Sequence, residues 1–206
     1  FLPPDELMML KGAPYVESAM LVAEAFLREE VPRDVLRRIV EDAYDFPVPL
    51  EPVIGRKYLM RLDRGPTASF KDFAARMMAR LMGYFRGEGK KLNVLVATSG
   101  DTGSAVGEAF KGVPGIGVYI LYPRDEVSGM QKKQLDTIGD NVRALSVDGK
   151  FDDCQNLVKG AFADPSLEQL NLTSANSINF GRILPQIIYY VYAYAQLAWH
   201  GDEEVD

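Results

Sequence analysis

The chain has 206 residues, 47% of them hydrophobic, which is enough to fill the core of one good-sized domain or of two small ones. Its net charge of −6 disfavours nucleic acid and anionic membranes as partners, and no apolar run or amino-terminal signal pattern predicts membrane insertion or secretion. A single cysteine, Cys154, excludes an internal disulfide and a cysteine-rich metal site. The single histidine, His200, lies in the terminal tail, which disfavours a Ser-His-Asp triad or a histidine metal site. We therefore expect a cytoplasmic protein without a metal, whose partner is a small molecule.

The first fifty residues predict two helices and a linker. ESAMLVAEAFLRE, at 17–29, is amphipathic, and PRDVLRRIVEDAY, at 32–44, has proline in its first turn. DFPVPLEPV, at 45–53, contains repeated prolines, which break helices. We expect this last stretch to be an extended linker.

Residues 65–82, GPTASFKDFAARMMARLM, predict a helix with a buried stripe. Ser69 can cap this helix, and Asp72, three residues later, resembles the second member of a capping box. The apolar residues recur at three- and four-residue steps: Phe70, Phe73, Met77, Leu81 and Tyr84.

Lys71 lies off that stripe, at the second predicted helical position. Unpaired N–H groups make the start of a helix positive, so an amine there should lose its proton more easily. An unprotonated amine is the nucleophile that attacks an aldehyde, and the position therefore suits a Schiff-base lysine. A solvated lysine on a helix face explains the same pattern.

From about Leu92 onward, short apolar strands alternate with helices. The predicted strands are LNVLVAT, GVYILYP, NVRALSV and LNLTSAN. The predicted helices are SGDTGSAVGEAFKG, a segment around SGMQKKQLDTIG, DDCQNLVKGAFA and SINFGRILPQIIYYVYAYAQLAW. This alternation predicts an α/β fold, with a parallel sheet, right-handed crossovers and helices on both faces.

Ligands of such sheets bind at the carboxyl ends of the strands, on loops that lead into helices, and two loops qualify. The first, TSGDTGS at 98–104, could cradle an anion with its backbone N–H groups. Its glycines, Gly100, Gly103 and Gly107, match neither a dinucleotide fingerprint nor a P-loop. An ordinary strand-to-helix turn that needs glycine remains the alternative.

The second loop, TSANSIN at 173–179, contains Asn176 and Ser177 and is followed by Arg182. On a helix beginning near Ser177, Arg182 lies about one and a half turns inside, so these side chains reach one anion only if the loop curls back. Arg182 would then grip a phosphate or carboxylate with a forked, permanent charge. The alternative is an N-cap serine with a surface arginine.

Three motifs together resemble one family. GPTASFKDFAARMMARLM, ATSGDTGSAV and NSINFGRILPQIIYY, in this order and spacing, closely resemble the threonine synthases, pyridoxal-phosphate (PLP) enzymes of the tryptophan synthase β-like fold. The similarity runs from about Leu62 to Ala198. It implies PLP fold type II, with residues 1–60 as an amino-terminal helical segment and linker. Residues 61–206 would be the first part of the catalytic region.

The resemblance also implies roles for individual residues. Lys71 would bind the cofactor as a Schiff base and then act as general base. Asp101 stands where related enzymes of this fold have an asparagine beside the cofactor's ring hydroxyl, and it would bind the cofactor together with Gly100 and Gly103. The implied substrate-binding residues are Ser99 and Thr102 near the carboxylate, and Asn176, Ser177 and Arg182 at the phosphate.

The implied reaction converts O-phosphohomoserine and water to threonine and phosphate by PLP-dependent elimination and replacement. Two alternatives stay open: a sister PLP lyase, such as a hydroxy-amino-acid dehydratase or a phospholyase, and a catalytically incomplete fragment that acts as a binding module. In the family, a glycine-rich loop for the cofactor's phosphate and the partner of the pyridine nitrogen come from chain beyond the long helix. We therefore expect the amino-terminal part of a longer enzyme, with a homo-oligomer left open.

Overall fold

The computed structural model describes residues 2–87, 89, 91–175 and 179–198, and these form an α/β structure. Elements that precede the large sheet are α1 (Pro4–Met8), α2 (Tyr15–Leu27), α3 (Arg33–Ala43), β1 (Leu50–Ile54), β2 (Lys57–Met60) and α4 (Lys71–Phe85). Those that follow are β3 (Leu92–Ala97), α5 (Asp101–Phe110), β4 (Ile116–Pro123), α6 (Gly129–Asp136), β5 (Val142–Val147), α7 (Phe151–Ala163), a 3-10 helix (Pro165–Leu170), β6 (Leu172–Thr173) and α8 (Phe180–Leu197).

The predicted parallel sheet is confirmed. Its strand order is β5-β4-β3-β6, and every neighbouring pair is parallel. β3 and β4 pair from Leu92 opposite Ile116 to Ala97 opposite Leu121. The predicted fourth strand, β6, is reduced to two residues, which pair with Asn93 and Val94. β6 ends opposite Val94, whereas β3 continues to Ala97, and both candidate loops leave their parallel strands in the same direction.

Helices cover both faces of the sheet, as the alternation predicts. On one face, side chains of α4, α5 and α6 pack on alternate strand residues such as Val94, Val118 and Ile120. On the other face, Cys154 and Val158 of α7 pack against Leu121. Cys154 has no exposed surface, so it is a fully buried core residue.

A hairpin stands where the sequence predicted only an extended linker. β1 and β2 pair antiparallel, with Leu50 opposite Met60 and Pro52 opposite Tyr58. Gly55 turns the chain with a φ of 54°, which favours glycine. Proline is compatible with this strand because a two-stranded ribbon has open edges where no ladder N–H is required.

The amino-terminal helices pack onto α4 and α8 through an aromatic cluster. Phe73 of α4 is fully buried, and its ring lies 5.4 Å from Tyr15, 6.0 Å from Tyr44, 5.1 Å from Phe46 and 5.8 Å from Tyr189, measured between centroids. This core therefore contains side chains from before and after residue 60. The domain boundary at residue 60 stays a prediction.

The helix starts differ from the sequence predictions in detail. α3 begins at Arg33, so Pro32 precedes the helix rather than occupying its first turn. α4 begins at Lys71 itself, one residue later than expected. α8 begins at Phe180 with Asn179 as its N-cap, because the Asn179 side chain accepts the Gly181 N–H. The prediction that this helix begins near Ser177 is therefore wrong.

The predicted capping box and stripe of α4 are also partly wrong. The Ser69 hydroxyl accepts the Lys71 N–H at 3.3 Å, but the Asp72 carboxylate turns to Thr67 instead of completing a box with Ser69. Phe70 and Tyr84 are 44% and 41% exposed. The buried stripe narrows to the central residues Phe73, Met77 and Leu81.

Candidate active site

Lys71 lies where the start of α4 meets the first loop. Its Nζ is 3.8 Å from Oδ2 of Asp101, the first residue of α5, and 4.5 Å from the ring centroid of Phe70. The lysine side chain is 23% exposed, so it is partly buried. The negative charge of the Asp101 carboxylate therefore lies beside this amine and counteracts the positive end of the helix.

Asp72 closes the segment that leads into Lys71. Its side chain is buried, and its two oxygens accept the Thr67 N–H at 2.9 Å and the Thr67 hydroxyl at 2.6 Å. Gly65 lies against the same carboxylate, since a Cβ at residue 65 would come within 2.5 Å of Asp72 Oδ2. The chain from Gly65 to Asp72 is thus folded back on itself, which fixes the direction in which Lys71 leaves the helix.

The first loop is organised around Thr98. The Thr98 hydroxyl is buried and accepts the N–H groups of Gly100 at 3.0 Å and Gly103 at 2.8 Å. A Cβ on Gly103 would come within 2.5 Å of Thr98 Cγ2, so glycine there has a packing reason. Gly100 has a φ of 137°, which is strained for any residue with a side chain. Thr98 therefore binds two of the loop's backbone N–H groups, which the sequence analysis considered as ligands of an anion.

Asp101 has a second partner that the sequence analysis missed. Gln131, on α6, donates its Nε2 to Asp101 Oδ1 at 2.8 Å. Ser128 and Gln131 form a capping box, a pattern visible in the sequence as Ser-x-x-Gln. Nothing local indicates that the glutamine also reaches a loop thirty residues earlier in the chain, because that contact depends on how α5 and α6 pack.

Arg182 is buried, so the alternative of a surface arginine is wrong. It is 2% exposed, and its Nη1 donates to the Ala175 carbonyl at 2.9 Å. Arg182 therefore connects α8 to Ala175, at the described start of the second loop. Nε of Arg182 is buried and has no hydrogen-bond partner among the described residues. Burial lowers the pKa of the guanidinium, and an anion close by would offset that penalty.

Of the predicted site residues, the structure brings Lys71 and Asp101 together. Thr102 lines a cleft that neither of them lines, together with Ser174 and Ala175 of the second loop and with Gln155 and Lys159 of α7. Asn176 and Ser177 lie outside the described residues. Ser99 is exposed at the start of the first loop.

Neither a metal site nor a membrane span is found in the described ranges. Histidine, cysteine, aspartate and glutamate side chains do not gather there in a group able to hold a metal ion. Each helix with described residues is too short or too polar to cross a bilayer.

The residues that are present fit the aldehyde end of PLP. A partly buried primary amine projects beside a turn that contains Gly100, at positive φ, and the carboxylate of Asp101, which is a suitable setting for a covalent bond to an aldehyde. The fit rests on this geometry and on the chemistry of the amine.

Comparison with known proteins gives one consistent result. A family model described as pyridoxal-phosphate dependent enzyme matches residues 49–197. The threonine synthase of Haemophilus influenzae is 46% identical over 185 residues, which are 89% of this chain and 43% of that protein. The threonine synthase of Escherichia coli is 44% identical over 94% of this chain and 44% of its own length.

Solved structures similar to this chain also include threonine synthases. A PLP-bound threonine synthase from Brucella melitensis is similar with a TM-score of 0.90 and 40% identity, over 96% of this chain and 44% of that one. The chain thus spans less than half the length of these relatives. The resemblance drawn from the three motifs and the expected PLP fold are confirmed, and the chain belongs to the family of pyridoxal-phosphate-dependent enzymes.

Proposed function

We propose that this chain provides the first part of the catalytic region of a threonine synthase, which converts O-phosphohomoserine and water to threonine and phosphate. The observation that carries the proposal is the placement of the Lys71 amine, 3.8 Å from Asp101 on the first loop. Similarity to threonine synthases at 44% to 46% identity supports the choice of reaction. The classification as a carbon–oxygen lyase follows from this reaction and belongs to the same proposal.

Lys71 would hold PLP through the cofactor's aldehyde, with Gly100, Asp101 and Gly103 beside the ring. PLP, when bound, supplies an electron sink that acidifies the hydrogens next to the substrate's amine. As general base, the Lys71 amine would take the proton from the substrate α-carbon and later return it there. The carboxylate of Asp101 keeps this amine at the loop rather than in solvent.

Arg182 would bind the phosphate of the substrate, together with Asn176 and Ser177. Its buried Nε has no partner among the described residues, and a phosphate oxygen is the strong acceptor that a guanidinium prefers. Ser99 and Thr102 would bind the substrate's carboxylate. Thr102 supports this role because it lines one cleft with Ser174 and Ala175 of the second loop.

The experiment measures threonine and phosphate formation from O-phosphohomoserine in the full-length protein, with PLP added. Borohydride treatment of the same sample should leave a reduced PLP group on Lys71, read by peptide mass spectrometry. Lys71→Ala should abolish both the modification and the turnover, whereas Lys111→Ala, an exposed lysine after α5, should preserve both. Turnover by Lys71→Ala at the rate of the unchanged protein would disprove the proposal.

Arg182 separates this reaction from that of a dehydratase. Removal of a donor that binds the developing charge of a leaving group lowers the rate by about a hundredfold or more. Arg182→Gln should therefore lower phosphate release by about that factor. Release of ammonia and a 2-oxo acid from serine or threonine, at a rate above phosphate release, would favour the sister lyase instead. The cytoplasmic location and the homo-oligomer stay predictions.

A further inference from the structure

We propose that Gln131 is a positioning residue that holds Asp101 beside Lys71, an inference that rests on the roles proposed above for these two residues. Each oxygen of the Asp101 carboxylate has its own partner. Oδ1 accepts Gln131 Nε2 at 2.8 Å, and Oδ2 lies 3.8 Å from Lys71 Nζ. A side chain of α6 is thereby connected to the amine at the start of α4 through one carboxylate.

The orientation of the Gln131 amide follows from its second contact. Its Oε1 accepts the Ser128 N–H at 3.0 Å, while the Ser128 hydroxyl accepts the Gln131 N–H at 3.3 Å. Because the amide oxygen is used by the helix cap, the NH2 group is left to donate to Asp101. The glutamine amide accepts from Ser128 and donates to Asp101 at once, whereas an ionised glutamate could only accept.

Gly100 makes room for this bridge. A Cβ at residue 100 would lie 2.3 Å from Gln131 Nε2, well inside contact distance. The backbone of the first loop therefore approaches the glutamine amide more closely than any residue with a side chain would permit. Gly100 thus serves two purposes, a strained backbone angle and a close approach.

Asp101 needs such a partner because its side chain is 57% exposed. An exposed carboxylate is well solvated and has several rotamers of similar energy, so the separation from Lys71 alone does not fix its position. A hydrogen bond to a charged group from an anchored donor selects one rotamer. Gln131 therefore keeps the carboxylate aimed at the amine.

Two functions of Gln131 can be separated by substitution. Gln131→Glu preserves the acceptor for Ser128, and glutamate is a usual member of a capping box, but it cannot donate and its charge repels Asp101. Ser128→Ala removes the cap and leaves the donor to Asp101 in place. Gln131→Ala removes both. Met130→Ala, at a side chain 71% exposed on the same helix, is the matched control.

The readouts are kcat and KM for O-phosphohomoserine, the melting temperature, and competitive acetylation of Lys71 relative to Lys111 in the PLP-free full-length protein. We expect Gln131→Glu and Gln131→Ala to lower kcat by about tenfold or more, with KM changed by less than about threefold, because misplacement of a reacting group affects the chemical step. Gln131→Ala should also raise the relative acetylation of Lys71 by about twofold or more, since an amine released from its ion pair is more accessible.

Ser128→Ala should lower the melting temperature while kcat and acetylation match those of Met130→Ala. If the Gln131 variants match Met130→Ala in kcat and acetylation, Gln131 only caps its helix and the inference is wrong. If Lys71→Ala itself retains turnover, the proposed function fails instead, so the two failures are distinguishable.

Discussion

Asp72 binds Thr67 twice, through the backbone N–H at 2.9 Å and the hydroxyl at 2.6 Å, and this pair closes the loop that ends at Lys71. The carboxylate is 1% exposed, so it depends on these bonds for the solvation that it has lost. Asp72, which the sequence suggested as a member of a helix cap, thus holds the preceding loop closed. We call this pair of hydrogen bonds between Asp72 and Thr67 the clamp.

Loss of this clamp should destabilise the protein and disturb the lysine. Hydrogen bonds to charged groups contribute about 1.5–3 kcal/mol, so Asp72→Ala should lower the free energy of unfolding by about 2–3 kcal/mol. Thr67→Val, which removes only the hydroxyl, should cost about 1 kcal/mol. Urea denaturation followed by circular dichroism measures both. The control is Glu108→Ala on the surface of α5, and an Asp72 variant as stable as that control would contradict the clamp.

Glycine at residue 65 should be required by the same contact. A methyl group there would lie 2.5 Å from Asp72 Oδ2 and 2.8 Å from Asp72 Cβ, so Gly65→Ala should destabilise by about 1–3 kcal/mol through overpacking. Gly160→Ala is the matched comparison, because Gly160 lies inside α7 with open space at its Cβ position. That substitution should stabilise by about 0.5–1 kcal/mol, since alanine favours helix. Melting curves that rank the two variants the other way round would refute the explanation.

Phe73 should be the most sensitive position of the aromatic core. Its ring packs edge-on against Tyr15, Phe46 and Tyr189, and truncation of a buried phenylalanine costs about 3–5 kcal/mol. Phe73→Ala should therefore lower the free energy of unfolding by about 3–5 kcal/mol. Thermal denaturation of this variant without PLP should then show no cooperative melting transition at moderate temperature. Phe162→Ala, at a ring 44% exposed on α7, should stay within about 1 kcal/mol of the unchanged protein. Equal losses for the two variants would contradict the central role of Phe73.

Cys154 should resist alkylation until the protein unfolds. Burial raises the pKa of its thiol above the ordinary value, so the reactive thiolate is scarce in the folded state at pH 8. The thiol of the unfolded chain has the lower pKa and therefore ionises first as pH rises. The stability that the protonated thiol contributes is full below the ordinary thiol pKa, and it is lost as pH rises through the pKa of the folded state. Ellman's reagent should react quickly in 6 M guanidinium and slowly in buffer. Rapid reaction in buffer would indicate that α7 opens readily.

How much of the site was predictable depends on the range of the interactions involved. Lys71, the first loop and Arg182 were identified from residue type, order and spacing, and the parallel sheet from the alternation of apolar runs. The hairpin was missed because the repeated prolines in DFPVPLEPV indicate locally only that no helix forms, whereas pairing with 57–60 depends on the partner strand. Gln131 was missed because its local pattern is already explained by a helix cap.

The sequence by itself determined the order of the elements, the parallel sheet and the loops on which chemistry would take place, because hydrophobic period and turn residues act over short stretches of chain. Only the tertiary structure decided that Arg182 is buried, that Asp72 turns to Thr67, and that Asp101 stands between Lys71 and Gln131. These relationships join residues far apart in the chain, or choose one of several partners open to one side chain. The packing of helices on the sheet sets them, and no local pattern encodes it.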